Sequence, residues 1–194
     1  MEELLYDVKT LARLIIDYDL SVKKANKFLT EVWEYDSTYL YLGYRFNKKK
    51  FLMDVLDEVD YWQHKDDFDK EIKAVNNDFE AIGSDCIYIA EDEYYDLKSY
   101  FMELRLRMIF LDNQDYIRMK LRTLLRDHDY KRRTAGINSY LKQCMYFYHI
   151  ESFVRGGKLC DIEEITLDDM ITFRVLANPR IYIQERTEKE KKTD

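Results

Sequence analysis

Five glycines and one proline in 194 residues constrain this chain more than any other feature. Tight turns draw on these two residues for a positive or a fixed φ, so a fold with many hairpins is disfavoured. Helices joined by short polar connections suit such a chain best. Its length allows a sizeable core, in one domain or two tightly packed ones.

Apolar spacing supports this. Leu4, Leu5, Val8, Leu11, Leu14 and Ile15 predict a helix over 3–17. Ser21 is a candidate N-cap for a second, carrying Val22, Ala25, Phe28, Leu29, Val32 and Trp33. The stretch "TYLYLGYRF" (38–46) reads equally as strand or helix. Further helices are expected over 51–62, 66–79, 91–110, 115–126 and 131–148. The chain then changes character. Gly156-Gly157 in "FVRGGKL" reads as a hairpin turn. Ile171, Phe173 and Val175, then "ANP", then Ile181 and Ile183, read as two strands about a turn. The expected fold is mainly α (α+β), a multi-helix body with a small C-terminal β-hairpin element. The expected divisions are an N-terminal helical region (1–84), a long-helix region (85–150), a β element (151–186) and a disordered tail (187–194).

The three cysteines (Cys86, Cys144, Cys160) lie far apart without CxxC spacing, as expected of free thiols in a reducing compartment. With no apolar run approaching a membrane span and an acidic, amphipathic start, the expected location is cytoplasmic, without a membrane partner. No Gly-rich phosphate loop occurs, His64, His128-Asp129 and Asp161 match the order of an HD-type metal site only at loose spacing, and no cofactor or metal is expected.

Charge is segregated within a net −7. Residues 54–71 hold eight acids against two lysines; Asp54, Asp57, Glu58, Asp60, Asp66, Asp67 and Asp69 define a candidate acidic face. Residues 118–133 hold seven basic residues against two acids; Arg122, Arg126, Lys131, Arg132 and Arg133 define a candidate basic face. The two can pair within the fold or across a homodimer, or address separate partners, DNA or RNA among those for the basic one. Seventeen tyrosines supply flat apolar bodies with a polar tip, suited to a core edge or to a protein interface.

At an offset of 110, Leu11, Leu14, Asp17, Asp19 and Ala25 match Leu121, Leu124, Asp127, Asp129 and Ala135. Each copy outlines an amphipathic helix, an Asp-containing turn and a basic second helix, the plan of a helix-turn-helix. Lys23, Lys24 and Lys27 in one copy, and Lys131, Arg132 and Arg133 in the other, are placed to meet phosphates at a helix start.

Arg122 followed six residues later by His128 resembles the R-x4–6-H motif of HEPN-type ribonucleases. That resemblance implies an all-helical protein whose Arg and His meet at a dimer interface, where they polarise a phosphate and activate a ribose 2′-hydroxyl. This chain has Thr123 where the family usually has a polar Asn, Asp or His.

In composition the chain resembles small acidic, Tyr-rich proteins of phages and mobile elements, such as anti-CRISPR proteins. The leading expectation is a non-enzymatic protein whose acidic, Tyr-rich helical surfaces block nucleic-acid-handling host machinery by occupying a basic surface on a protein partner. A helix-turn-helix regulator and a HEPN-like ribonuclease are the alternatives.

Overall fold

Asp7 sets the start of the first helix later than apolar spacing predicts. Its carboxylate accepts the Thr10 backbone N–H at 2.7 Å, so α1 runs Val8–Asp17. The computed structural model describes residues 4–65, 70, 97–112, 114–128, 130 and 132–176. The expected helix over 66–79, the start of the one over 91–110, the "ANP" turn with its second strand, the tail and Cys86 lie outside the described residues.

Helix α1 ends in a Schellman closure. The Asp19 N–H donates to the Ile16 carbonyl at 2.9 Å and the Leu20 N–H to that of Ile15 at 3.0 Å. Asp19 itself takes the left-handed conformation, φ 45°, at a position where glycine is usual. Helix α2 (Val22–Tyr35) follows, with Ser21 at its N-cap position. The ambiguous "TYLYLGYRF" becomes a 3-10 turn, Ser37–Tyr39, and a short helix α3, Leu42–Arg45. Asn47 then caps α4 (Lys48–Gln63) by accepting the Lys50 N–H at 3.0 Å.

Helix α5 (Leu97–Leu106) is buried on nearly every side, through Leu97, Phe101, Met102, Leu104, Arg105 and Leu106, which makes it a central core helix. It runs into a π-helical turn, Arg107–Leu111, closed by the Asp112 N–H on the Arg107 carbonyl at 2.7 Å.

The structure corrects the expected helix over 115–126. Tyr116–Lys120 is a strand, β1, and only Leu121–Arg126 is helical (α6). Ile117 and Met119 alternate with Arg118 and Lys120, and the register Ile117↔Phe173, Met119↔Ile171 gathers the apolar pairs on one face. Helix α7 also starts later than expected, at Ala135 instead of Lys131, because Thr134 caps it by accepting the Ile137 N–H at 3.2 Å. It ends at Phe147.

Strand β2 (Ile150–Phe153) leads into the Gly-Gly turn, where Gly156 and Gly157 both have positive φ, 86° and 73°. That turn closes only a one-bridge pairing of Phe153 with Leu159. Strand β3 (Met170–Val175) arrives later and pairs antiparallel with both others, in the order β1-β3-β2. The fold is thus mostly helical with a small three-stranded antiparallel sheet in its C-terminal half. The sheet draws its third strand from a segment expected to be helix.

A continuous buried cluster runs from Tyr6 to Phe173. Phe101 meets Phe173 edge-on at 5.7 Å, joining α5 to β3, and Phe28 meets Phe110 at 6.1 Å, joining α2 to the π turn. Inside it lies a buried ion pair. Arg105 on α5 reaches Asp36 through Nη2 at 2.9 Å and Nε at 3.1 Å. Tyr6 donates its hydroxyl to Asp36 at 2.6 Å, and Arg105 Nη1 donates to the Tyr148 carbonyl at 2.8 Å. The Tyr39 ring lies 4.5 Å from the guanidinium. Arg105 and Asp36 are thus met by polar partners, as burial requires. No helix among the described residues is long and apolar enough to cross a membrane.

Candidate functional site

Two of the four described acids of the expected acidic face turn to neighbours. Asp54 accepts the Lys50 ammonium at 2.7 Å and the Tyr44 hydroxyl at 2.8 Å. Those hydrogen bonds, the Lys50 one first, hold its carboxyl below the usual range. Burial, then the bond to Asp54, pushes the Tyr44 phenol up to about 12. Glu58 accepts the Trp62 indole N–H at 2.8 Å. Asp57 and Asp60 are exposed, and Asp60 lies 3.3 Å from His64. Asp66, Asp67 and Asp69 lie outside the described residues.

Large apolar side chains on α3 and α4 are exposed. Phe46 is 83% exposed, Leu42 62%, Tyr41 52% and Met53 50%. Leu42 and Phe46 are four apart on α3 and its C-cap. Met53, Asp57 and Asp60 follow at spacings of four and three on one face of α4, with Lys49 before them. At the base of α3 is a groove of about 460 Å³ between Tyr41, Gly43 and Tyr44 on one side and Leu5 and Val8 on the other, with Lys50 and Lys98 at its border. Tyr44 is held inward by its ring contact with Phe51, 5.6 Å away. That contact and the bond to Asp54 leave Tyr41, Leu42 and Phe46 pointing outward.

The basic segment is dispersed. Arg122 forms a two-point pair with Asp168, at 2.9 and 2.8 Å, with both side chains more than half exposed. The same contact keeps the Asp168 carboxyl low. Arg126 turns to Asp127 at 3.1 Å. Arg133 Nη1 binds the carbonyls of Ile162 and Ile165 at 2.9 and 2.6 Å, tying the start of α7 to the loop before β3. Arg132 is exposed, and Lys131 lies outside the described residues. His128 is buried, its ring 5.1 Å from that of Tyr100. Arg122 and His128 thus serve different neighbours, one on the surface and one in the core.

The internal echo has a structural counterpart. The Tyr130 N–H donates to the Leu125 carbonyl at 2.9 Å, the same six-to-one closure that Leu20 makes to Ile15. The copies differ on both sides of it. In the first, α2 starts at Val22 with Lys23, Lys24 and Lys27 exposed and Ala25 and Phe28 buried. In the second, β1 shortens the leading helix and α7 begins only at Ala135.

A third cluster lies at the π turn, which brings Arg107 and Asp112 to one side of the chain. Arg107 Nε is 3.4 Å from Asp112, and Nη1 binds Glu103 at 3.2 Å. Tyr18 donates to Asp112 at 2.5 Å. Burial first, then this bond, pushes the Tyr18 phenol up to about 12. A groove of about 430 Å³ opens here, lined by Arg107, Asp112, Gln114, Tyr116, Ile117 and Arg118. Nothing in the sequence around Arg107–Leu111 signals a π turn, so the site has no sequence signature.

Among the described residues, no group of three or more His, Cys, Asp or Glu is placed to hold a metal ion. Cys144 is buried and Cys160 half-buried. Comparison of the chain with protein families, with curated proteins and with solved structures finds no match.

Proposed function

We propose that this protein is a non-enzymatic interaction protein that binds nucleic-acid-handling machinery and blocks it. The face formed by α3 and α4 is the docking surface. The observations that carry this reading are the exposure of Phe46, with Leu42, Tyr41 and Met53, and the exposure of Asp57 and Asp60 further along α4. An apolar centre with a charged rim is the anatomy of a protein interface. Covering each large apolar side chain contributes roughly 1.5–3 kcal/mol, and aromatic anchors commonly dominate such contacts. The exposed carboxylates Asp57 and Asp60 on α4 favour a partner surface of positive sign and speed the encounter. A surface that normally receives nucleic acid has that sign.

The test is capture of partners from a host lysate at low and high salt, with wild type and with Phe46→Ser and the double variant Asp57→Lys/Asp60→Lys. The expected result is a nucleic-acid-binding protein retained by wild type at low salt, released by added nucleic acid and lost from both variants. Equal retention by the variants, or recovery of nucleic acid alone, contradicts the reading.

The first copy of the echo supports a second reading, in which α2 is the DNA-contacting helix of a helix-turn-helix. Its first turns expose Lys23, Lys24 and Lys27 while Ala25 and Phe28 pack inward, as that motif requires. Duplex DNA binding with a steep salt dependence, lost on changing the three lysines to alanine, is the expected result. Binding that survives the triple substitution removes this reading.

A further inference from the structure

From the outer face of the sheet, we infer that the protein carries a binding site for single-stranded RNA, separate from the α3–α4 face. Alternation along the strands puts Ile117, Met119, Ile171 and Phe173 against the core and turns Tyr116, Arg118 and Lys120 of β1 and Thr172 and Arg174 of β3 outward. Tyr116 stands opposite Arg174 in register. The Arg118 guanidinium lies 5.1 Å from the Tyr116 ring centre and that of Arg174 lies 5.7 Å from it. Arg118 is further fixed by its bond to the Thr172 hydroxyl at 3.2 Å.

The face thus presents two guanidiniums gathered over a central phenol on the sheet. Bases stack on both kinds of plane, and the same cations attract phosphates. Glu151 on β2 stands opposite Arg174, so Arg118 and Lys120 carry the excess positive charge.

The groove at the π turn is continuous with this face, because Tyr116 and Arg118 line both. Its volume of about 430 Å³ falls within the ~300–1,000 Å³ span of small-ligand pockets, enough for one unstacked nucleotide. Inside it the acceptors Asp112 and Gln114 sit beside the cations Arg107 and Arg118. A ribose 2′-hydroxyl supplies the donor that such acceptors can use and that a deoxyribose lacks. A narrow patch drawn from two strands, β1 and β3, has no means of following both strands of a duplex, so the occupant is a single strand with its bases splayed.

The experiment is fluorescence anisotropy with a labelled mixed-sequence RNA 12-mer, the DNA strand of the same sequence and the RNA duplex, using the full chain at low and moderate salt. The single-stranded RNA is expected to bind most tightly. Tyr116→Ala is expected to weaken it roughly tenfold, the scale of one lost stacking platform, while Tyr116→Phe retains it. Arg118→Gln/Arg174→Gln, which touches only exposed side chains, is expected to weaken binding and flatten its salt dependence. Phe46→Ser, on the other face, is expected to leave it unchanged. Absence of RNA binding by wild type, equal binding of the DNA strand or the duplex, or insensitivity to both the Tyr116→Ala and the arginine substitutions overturns the inference.

Discussion

Arg105 and Asp36, 69 residues apart in sequence, face each other inside the core through two hydrogen bonds, with 3% of each side chain exposed. Together with Tyr6, Tyr39 and Tyr148 they fasten α5 to the end of α2 and to the end of α7. Removing one partner leaves an uncompensated charge in a dry site. Asp36→Ala is therefore expected to cost about 3–5 kcal/mol in urea unfolding, whereas the double change Asp36→Leu/Arg105→Met costs less than that single one. A double variant less stable than Asp36→Ala would contradict this account of the pair.

The second prediction concerns alkaline pH. Tyr18 and Tyr44 are both pushed up to about 12, chiefly by burial and then by the bonds to Asp112 and Asp54. The folded state therefore holds these protons after the unfolded chain, with phenols near 10, has released them. The associated stability is fully present below about pH 10 and is lost as pH rises toward 12. Titration followed by tyrosinate absorbance should show a late-ionising fraction among the 17 tyrosines. Tyr18→Phe and Tyr44→Phe should each reduce it. A late fraction unchanged in both variants would count against the assignment.

Asp19 tests the turn between α1 and α2. At φ 45° a β-branched side chain is strained and glycine is not. Asp19→Val is expected to destabilise by about 1–2 kcal/mol, with Asp19→Gly neutral or slightly stabilising. Equal midpoints of thermal unfolding for the two variants would contradict the Schellman geometry.

Within the basic segment, Arg133 is expected to matter more for folding than its neighbours. Its two bonds to the carbonyls of Ile162 and Ile165 are charge-assisted, so Arg133→Ala should cost about 1–3 kcal/mol. Arg122→Ala, which breaks a solvent-exposed pair, should leave the unfolding midpoint nearly unchanged. The reverse order would show that the loop before β3 is held some other way.

These positions mark where the sequence is legible and where it is not. The helical body follows from apolar spacing, but its starts do not: Asp7, Asn47 and Thr134 each bond a helix N-terminus, whereas the expected cap Ser21 makes no side-chain cap bond. The Gly-Gly turn and β3 follow from local chemistry as well. Strand β1 does not, because Ile117, Leu121, Leu124 and Leu125 fit a helical repeat while Ile117 and Met119 also fit a two-residue one. Only the partner β3, more than 50 residues further on, decides between them. The Arg105–Asp36 pair is illegible for the same reason, since a lone Arg in a helical pattern gives no sign of its mate.

Of the candidate acidic face, Asp57 and Asp60 are exposed, and the exposure of Phe46 has no signal in the ambiguous stretch 38–46. The sequence also marks 118–133 as one basic patch. In the structure Arg118 and Lys120 lie on the sheet, Arg122 turns to Asp168, and Arg133 turns inward.

The central claim, that the α3–α4 face docks on a basic protein surface, is tested most directly by affinity measurements on a partner captured by wild type. Wild-type binding should weaken as salt rises, and Phe46→Ser should lose at least tenfold in affinity, the scale of one aromatic anchor, with its unfolding midpoint unchanged. Asp57→Lys/Asp60→Lys should lose the low-salt binding that wild type shows. A partner bound equally well by wild type and both variants would contradict the account.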